Sequence, residues 1–216
     1  MSRVIVIGGT GYAGSNIVAE AARRGHTVIA YSRNAPEAPV AGVEYVQADV
    51  TDSAALKKAT EGADVVISAL SPRGDLSPSG LLRRIDSELA QIASEAGHRL
   101  GVVGGAGSLI VFEGGPALVD TEAFPESSKP EAAEMGAVLD DLRASDSTLD
   151  WFYISPAAGF GSWAPGEAIG SYRVGGEVLL ADAEGGSFIS GADFALAVVD
   201  EIERPAHSRE RFGVAY

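Results

Sequence analysis

Near its N-terminus the chain reads Val4-Ile5-Val6-Ile7-Gly8-Gly9-Thr10-Gly11-Tyr12-Ala13-Gly14. A short, continuously apolar, β-branched run such as residues 4–7 is typical of a strand buried on both faces of a parallel sheet. The glycines that follow satisfy Gly-x-Gly-x-x-Gly from Gly9 and the wider Gly-x-x-Gly-x-x-Gly from Gly8. Glycine at these positions allows a sharp turn, a close approach of the backbone to a diphosphate, and close packing of a helix on the strand.

The segments after this turn complete a βαβ unit. Apolar residues fall on one face of a helix predicted over residues 15–24, and residues 27–31 form a second strand after Gly25. A glycine triplet alone is weak evidence, but its place between a strand and a helix within about thirty residues is specific. We therefore predict that residues 8–14 bind the diphosphate of a dinucleotide at the N-terminus of the first helix. The alternative is a glycine-rich turn that binds no ligand.

The rest of the chain alternates strand and helix patterns, which predicts an α/β fold with a Rossmann-like, doubly wound parallel sheet in three layers. Further strands are predicted at residues 43–50, 64–70, 100–103, 149–155 and 212–216, and further helices at 53–60, 81–93, 130–144 and 192–203. A long loop at 105–128 interrupts this rhythm, as does a segment at 156–190 with hairpin character at 172–181 and 187–190. We predict a single domain over residues 1–216, with 156–190 as a small insertion on the substrate side.

Composition excludes several classes of function. The 216 residues are 46% hydrophobic and 21% charged, an ordinary globular balance. The absence of cysteine excludes disulfides and thiolate chemistry, and it suits a reducing, cytoplasmic location. A net charge of −14 disfavours nucleic acid as a partner, and no apolar stretch reaches the length of a membrane span. The three histidines do not cluster with other ligand types, so we expect no metal, and we expect a monomer or a homodimer.

The end of the second strand bears on the choice of cofactor. It reads Tyr31-Ser32-Arg33-Asn34 and contains no carboxylate that would hold the ribose hydroxyls of NAD(H). An arginine at this place accommodates a 2′-phosphate, so we predict NADP(H) in preference to NAD(H). The alternative is that Arg33 is a solvated loop arginine. Asp49 is a candidate acceptor for the adenine amino group, with the backbone of Val50 beside it, whereas Asp52 is placed to cap a helix.

Taken together, the motifs resemble those of the atypical short-chain dehydrogenase/reductase superfamily. The residues that carry this resemblance are Gly8–Gly14, Ser32-Arg33, Asp49–Asp52 and Ser68–Leu70. A closer similarity is to the bacterial "putative NADH-flavin reductase" group of NAD(P)H-binding proteins, related in fold to biliverdin reductase B. That similarity rests on residues 102–109 (Val-Val-Gly-Gly-Ala-Gly-Ser-Leu), 150–158, 172–176 and 189–195, and it spans nearly the whole chain. The resemblance implies a Rossmann-like fold and a nicotinamide cofactor.

The glycine turn and the resemblance together define a predicted site. The predicted cofactor-binding residues are Gly8, Thr10, Gly11, Tyr12, Ala13, Gly14, Ser32, Arg33, Asp49, Val50, Ala69, Leu70, Ser71, Gly104 and Pro156. Ser108 matches the position after the fifth strand where dehydrogenases of the superfamily carry a catalytic serine; the alternative is a small residue in a glycine-rich turn. We also predict that Trp163 lines an aromatic substrate pocket.

A motif that this chain lacks narrows the chemistry further. Dehydrogenases of the superfamily protonate a substrate oxygen with a tyrosine, which is activated by a lysine four residues later. The lysines here are Lys57, Lys58 and Lys129, and the residues four positions earlier are Ser53, Ala54 and Pro125. The Tyr-x-x-x-Lys pair is therefore absent. A carbonyl substrate would lack the positioned acid, which typically increases the rate of such reactions by about 10²–10⁴-fold.

A flavin or a quinone suits such a site better, because its ring spreads the incoming charge and solvent can supply the proton. We therefore predict an NAD(P)H-dependent oxidoreductase that transfers hydride to a small flavin-like or quinone-like molecule. The alternative is a non-catalytic NADP(H)-binding redox sensor or scaffold. Lys129, Tyr153 and Tyr172 are candidate replacements for the missing acid, but surface or packing roles are favoured for all three.

Overall fold

The computed structural model of this protein describes residues 1–77 and 79–216, and it contains one eight-stranded sheet. The strands are β1 Arg3–Ile7, β2 Thr27–Ser32, β3 Glu44–Gln47, β4 Val65–Ser68, β5 Arg99–Val103, β6 Trp151–Ser155, β7 Arg173–Gly175 and β8 Glu210–Ala215. Their order across the sheet is β3-β2-β1-β4-β5-β6-β8-β7. Adjacent strands are parallel, apart from the antiparallel pair of β7 and β8.

Five helices cover the two faces of the sheet. They are α1 Tyr12–Arg23, α2 Ser53–Ala59, α3 Leu81–Ala96, α4 Lys129–Ala144 and α5 Gly191–Glu203. Side chains alternate across β1, so that Val4 and Val6 pack under α1 and α5 while Ile5 and Ile7 pack under α2, α3 and α4. Two apolar cores therefore lie on opposite sides of one sheet. The predicted Rossmann-like fold with three layers is confirmed.

The order of the strands places a crevice at one edge of the sheet. From β1 the chain moves outward to β2 and β3, then returns to the other side of β1 for β4 and the strands that follow. The connections on the two sides of β1 therefore diverge at the carboxyl end of this strand. In open α/β sheets ligands bind at such a switch point, and here the glycine-rich turn occupies it.

The boundaries of several predicted elements need correction. The first helix begins at Tyr12 rather than at residue 15, because Gly11 is its N-cap and Gly14 lies inside its first turn. The third strand spans Glu44–Gln47 rather than 43–50, since its partner β2 ends at Ser32 and offers no further backbone groups. The last strand is Glu210–Ala215 rather than 212–216, because its polar first residues pair with β6 as well.

The predicted hairpin in residues 172–190 is wrong as a pairing of strands. Residues 173–175 form β7, whose partner is β8 rather than residues 187–190. A tight turn, in which the Asp182 N–H donates to the Gly186 carbonyl at 2.7 Å, follows β7 without extending into a ladder. The hairpin character of this segment therefore indicated a strand but not its partner.

Across the described residues, no helix combines the length and apolar character needed to span a bilayer.

Candidate nucleotide-binding site

A cleft of about 190 Å³ opens at the carboxyl ends of β1, β2 and β4. Among the residues predicted to bind a cofactor, those that line it are Gly8, Thr10, Gly11, Ser32, Arg33, Asp49, Val50, Ala69, Leu70 and Ser71. They come from four separate places in the chain, and the sheet order brings them to one edge. The structure thus collects most of the predicted cofactor residues around one opening.

The glycine turn is held against both neighbouring strands. The N–H groups of Gly8 and Gly9 donate to the Tyr31 carbonyl of β2 at 2.9 and 3.1 Å. Gly8 has a φ of +85°, and a Cβ there would lie 2.8 Å from the Ala69 carbonyl oxygen beyond β4. A Cβ on Gly14 would lie 2.2 Å from the Gly8 carbonyl oxygen. These two glycines are therefore required by the packing of the turn itself.

Gly11 has a different reason to be glycine. Its backbone, with φ of −71° and ψ of 171°, is open to any residue. A Cβ there would meet only the Gly8 carbonyl oxygen, at an ordinary 3.4 Å. Packing therefore does not require a glycine at this position, which lies on the wall of the cleft. Without a side chain at this position, the diphosphate of a dinucleotide can come close to the backbone.

The first turn of α1 supplies donors to the same space. No described side chain caps this helix, and its first internal hydrogen bond runs from the Ser15 N–H to the Gly11 carbonyl at 2.8 Å. The N–H groups of Tyr12, Ala13 and Gly14 precede that bond and have no acceptor within the helix. Together with the partial positive charge of the helix N-terminus, they suit an anion. The turn therefore fits a dinucleotide diphosphate.

Charged and polar side chains border the far end of the cleft. The Ser32 hydroxyl donates to the Asn34 carbonyl at 2.6 Å. Arg33 is half exposed and forms an ion pair with Asp75, which lies on a short 3₁₀ turn at residues 74–76 after β4. Asp49 accepts hydrogen bonds from the Thr51 hydroxyl at 2.7 Å and the Thr51 N–H at 3.0 Å, and these bonds lower the pKa of its carboxyl. Asp49 is therefore ionised and an acceptor at neutral pH.

Other predicted residues of the cofactor site lie outside the walls of this cleft. Tyr12 packs edge-on against Phe160 at 5.3 Å, and its hydroxyl accepts a hydrogen bond from the Gly191 N–H at 3.0 Å. Ala13 and Gly14 belong to the first turn of α1. Pro156 is buried directly after β6.

Gly104, directly after β5, also lies outside the walls of the cleft. A Cβ on Gly104 would lie 2.0 Å from the Tyr153 ring, so packing alone explains this glycine. Contact of Pro156 or Gly104 with a cofactor stays a prediction.

The structure places Ser108 and Trp163 in different surroundings. The Ser108 hydroxyl lies 3.2 Å from a guanidinium nitrogen of Arg211, which is buried on β8 and also pairs with Glu177. Trp163 is 67% exposed, and it belongs to a loop beside Gly161. Neither side chain lines the nucleotide cleft. A catalytic role for Ser108 and a substrate contact for Trp163 stay predictions.

The candidate replacements for the missing acid are engaged elsewhere. The Tyr153 hydroxyl donates to the Met135 carbonyl at 3.1 Å and accepts from the Gly105 N–H at 3.3 Å, and burial raises its pKa. The Tyr172 hydroxyl donates to Asp200 at 2.6 Å. Lys129 forms an ion pair with Glu126. These contacts agree with the packing or surface roles expected for all three residues.

Sequence reasoning included the first residues of the loop after β4, Ala69 to Ser71, but missed the later part of this loop. Arg73 and Leu76 line the cleft, and Asp75 reaches Arg33 across it. The position of this loop after a strand next to β1 was the available signal, since the carboxyl ends of parallel strands share one edge.

Within residues 1–77 and 79–216, no group of three or more histidine and acidic side chains is arranged to hold a metal ion.

Comparison with known proteins identifies the family. A family model described as NAD(P)H-binding matches residues 8–205, which include the glycine turn and the strands from β2 to β7. The chain belongs to this NAD(P)H-binding family. It therefore has the fold and the nicotinamide-binding character of the Rossmann oxidoreductases, as the sequence predicted.

Individual relatives match this chain over nearly their whole length. The chain is 38% identical to "Uncharacterized protein YwnB" of Bacillus subtilis, covering 98% of this chain and 97% of the relative. It is similar, at 35% identity and a TM-score of 0.87, to the structure of a "putative NADH-flavin reductase" from Streptococcus pneumoniae, covering 100% and 99% of the two chains. A "putative exported protein" from Burkholderia pseudomallei matches at 40% identity and a TM-score of 0.86, covering 100% of both chains.

Proposed function

We propose that this protein is an NADPH-dependent reductase whose acceptor is a flavin or a quinone. The observation that carries the cofactor preference is the Ser32-Arg33 pair on the border of the cleft, where β2 ends without a carboxylate. A guanidinium beside the adenosine ribose is complementary to a 2′-phosphate. The Streptococcus pneumoniae relative, which is named a "putative NADH-flavin reductase", supports the class of acceptor.

The roles of this chain's own residues follow from the cleft. The N–H groups at the start of α1 would hold the diphosphate, Asp49 would accept from the adenine amino group, and Arg33 would contact the 2′-phosphate. The bound nicotinamide would supply a hydride. The protein then contributes orientation, which is the main requirement when two flat rings exchange a hydride and solvent can provide the proton. A reaction of this kind needs no tyrosine positioned to donate a proton.

We expect the purified protein to oxidise NADPH in the presence of a free flavin or a soluble quinone. The loss of nicotinamide absorbance, followed with and without protein across several flavins and quinones, measures this activity. The control is a preparation heated until it unfolds, which accounts for the direct reaction of NADPH with the acceptor. Tight NADPH binding with no turnover of any acceptor would contradict the reductase and favour the redox-sensor alternative.

Substitution Arg33→Ala tests the preference for NADP(H). Because a charge-assisted contact with a phosphate contributes about 1.5–3 kcal/mol, we expect NADPH binding to weaken by about 10- to 100-fold while NADH binding changes little. Calorimetric titration of both cofactors measures the two dissociation constants directly. An equal loss for both cofactors would show that Arg33 does not read the phosphate.

A further inference from the structure

An ion pair crosses the nucleotide cleft from one wall to the other. Arg33 directly follows β2, and Asp75 lies on the turn after β4. Because β1 stands between β2 and β4, the two residues start from strands about 9–10 Å apart and meet across the end of β1, where the glycine turn begins. We call this contact the Arg33–Asp75 bridge.

The contacts around the bridge leave Arg33 with one close anionic partner. Asp49 also faces Arg33, but its carboxylate is held by the hydroxyl and the N–H of Thr51. Arg73, the other arginine of the cleft, pairs with Glu131 of α4. Within the described residues, Asp75 is therefore the carboxylate that binds the guanidinium expected to meet a 2′-phosphate.

We propose that Asp75 is a specificity-determining residue that competes with the 2′-phosphate of NADP(H) for Arg33. This inference rests on the proposed preference for NADP(H) and adds a residue that opposes it. A 2′-phosphate that approaches Arg33 must displace the Asp75 carboxylate and then lie near its negative charge. NAD(H) carries a hydroxyl at that position, and a carboxylate accepts a hydrogen bond from such a hydroxyl.

The exposure of the bridge sets the size of the effect. The side chains of Arg33 and Asp75 are 47% and 83% exposed, so water and salt screen their attraction and the bridge is weak enough to open. Removing the carboxylate therefore changes NADP(H) affinity by a modest factor rather than by orders of magnitude. It also leaves the fold intact, because Asp75 caps no helix and is not part of the core.

The test is Asp75→Asn, which keeps the shape of the side chain and removes its charge. We expect the dissociation constant of NADPH to fall by about three- to tenfold, a range typical of one exposed charge pair and one relieved repulsion. We expect the dissociation constant of NADH to stay the same or to rise. Calorimetric titration of both cofactors against wild type and variant gives these ratios without any enzyme assay.

Two controls separate this inference from its alternatives. Glu113→Gln removes one negative charge from an exposed side chain that is not among the residues lining the cleft, and it should leave both affinities unchanged. In an Arg33→Ala background, the gain in NADPH affinity from Asp75→Asn should be smaller than in wild type, because the competition for Arg33 is gone and only the repulsion between Asp75 and the phosphate is relieved.

The possible outcomes distinguish the bridge from the cofactor preference. Equal gains for NADPH and NADH in Asp75→Asn, or the same gain without Arg33, would overturn the role of Asp75. If Arg33→Ala weakens NADPH selectively while Asp75→Asn changes neither cofactor, the preference for NADP(H) stands and only the competition is refuted. If Arg33→Ala has no selective effect, the proposed preference itself fails.

Discussion

Substitution Gly14→Ala is expected to unfold the glycine turn and to abolish cofactor binding together. The added Cβ would lie 2.2 Å from the Gly8 carbonyl oxygen, which is backbone and cannot rotate away. Overpacking of this kind costs about 3 kcal/mol, equivalent to a fall of about 6–12 °C in melting temperature for a chain of this size. Displacing the turn removes at least two charge-assisted hydrogen bonds to a diphosphate, so the affinity should fall by about 100-fold or more.

Gly11→Ala is the matched variant that separates binding from stability. Its Cβ would enter open space beside the cleft and would meet only the Gly8 carbonyl oxygen at 3.4 Å. We expect the melting temperature to fall by only about 2–4 °C, since alanine is about 1 kcal/mol worse than glycine at an N-cap. NADPH affinity should fall by about tenfold, because the methyl group holds the diphosphate away from the backbone. Unchanged affinity in Gly11→Ala would place the diphosphate somewhere else.

The sequence was sufficient for the parts of the site that depend on local geometry. The spacing of Gly8, Gly11 and Gly14 follows from a turn that joins one strand to one helix. The contacts that require this turn are made by residues close in sequence or on adjacent strands. The alternation of strand and helix patterns then fixed the type of sheet, since a parallel connection needs a crossover. The nicotinamide-binding character followed from these two features, whereas the family followed from a resemblance that further motifs carry, such as residues 102–109.

Contacts between distant segments could not be predicted in this way. The Arg33–Asp75 bridge depends on two loops that meet only because β2 and β4 flank β1. The pairing of β7 with β8 was missed because the local pattern of residues 172–181 does not specify a partner strand. Arg211 was left out of the last strand because a charged residue is rarely buried, and here its position is stabilised by Glu177 and Ser108.

A buried carboxyl group on α3, in contact with β4, gives the second large expected effect. Asp86 of α3 is 2% exposed, and its Oδ1 accepts a hydrogen bond from the Ser68 hydroxyl at 2.6 Å. Its Oδ2 has no hydrogen-bond partner among residues 1–77 and 79–216. Burial raises the pKa of this carboxyl from its ordinary 3.8 to about 7, and the negative charge of Glu134 on α4 adds to the effect.

The sign of the resulting pH dependence follows from proton binding. Between about pH 4 and pH 7 the folded state keeps the Asp86 proton, whereas the unfolded state has released it. The contribution of this group to the free energy of unfolding therefore falls as the pH rises through that window. A pKa difference of roughly three pH units corresponds to a loss of at most about 4 kcal/mol above pH 7.

Asp86→Asn should therefore stabilise the protein at pH 8 and have little effect at pH 4. Asparagine keeps the acceptor for Ser68 and removes the charge, so the free energy of unfolding at pH 8 should rise by about 2–4 kcal/mol. Urea unfolding of both proteins across this pH range measures the difference, and Asp140→Asn, an exposed substitution on α4, serves as the control. Because Glu134 and Tyr153 also face Asp86, their substitution would change the same curve. Parallel stability curves for wild type and Asp86→Asn would show that this carboxyl does not hold a proton at neutral pH.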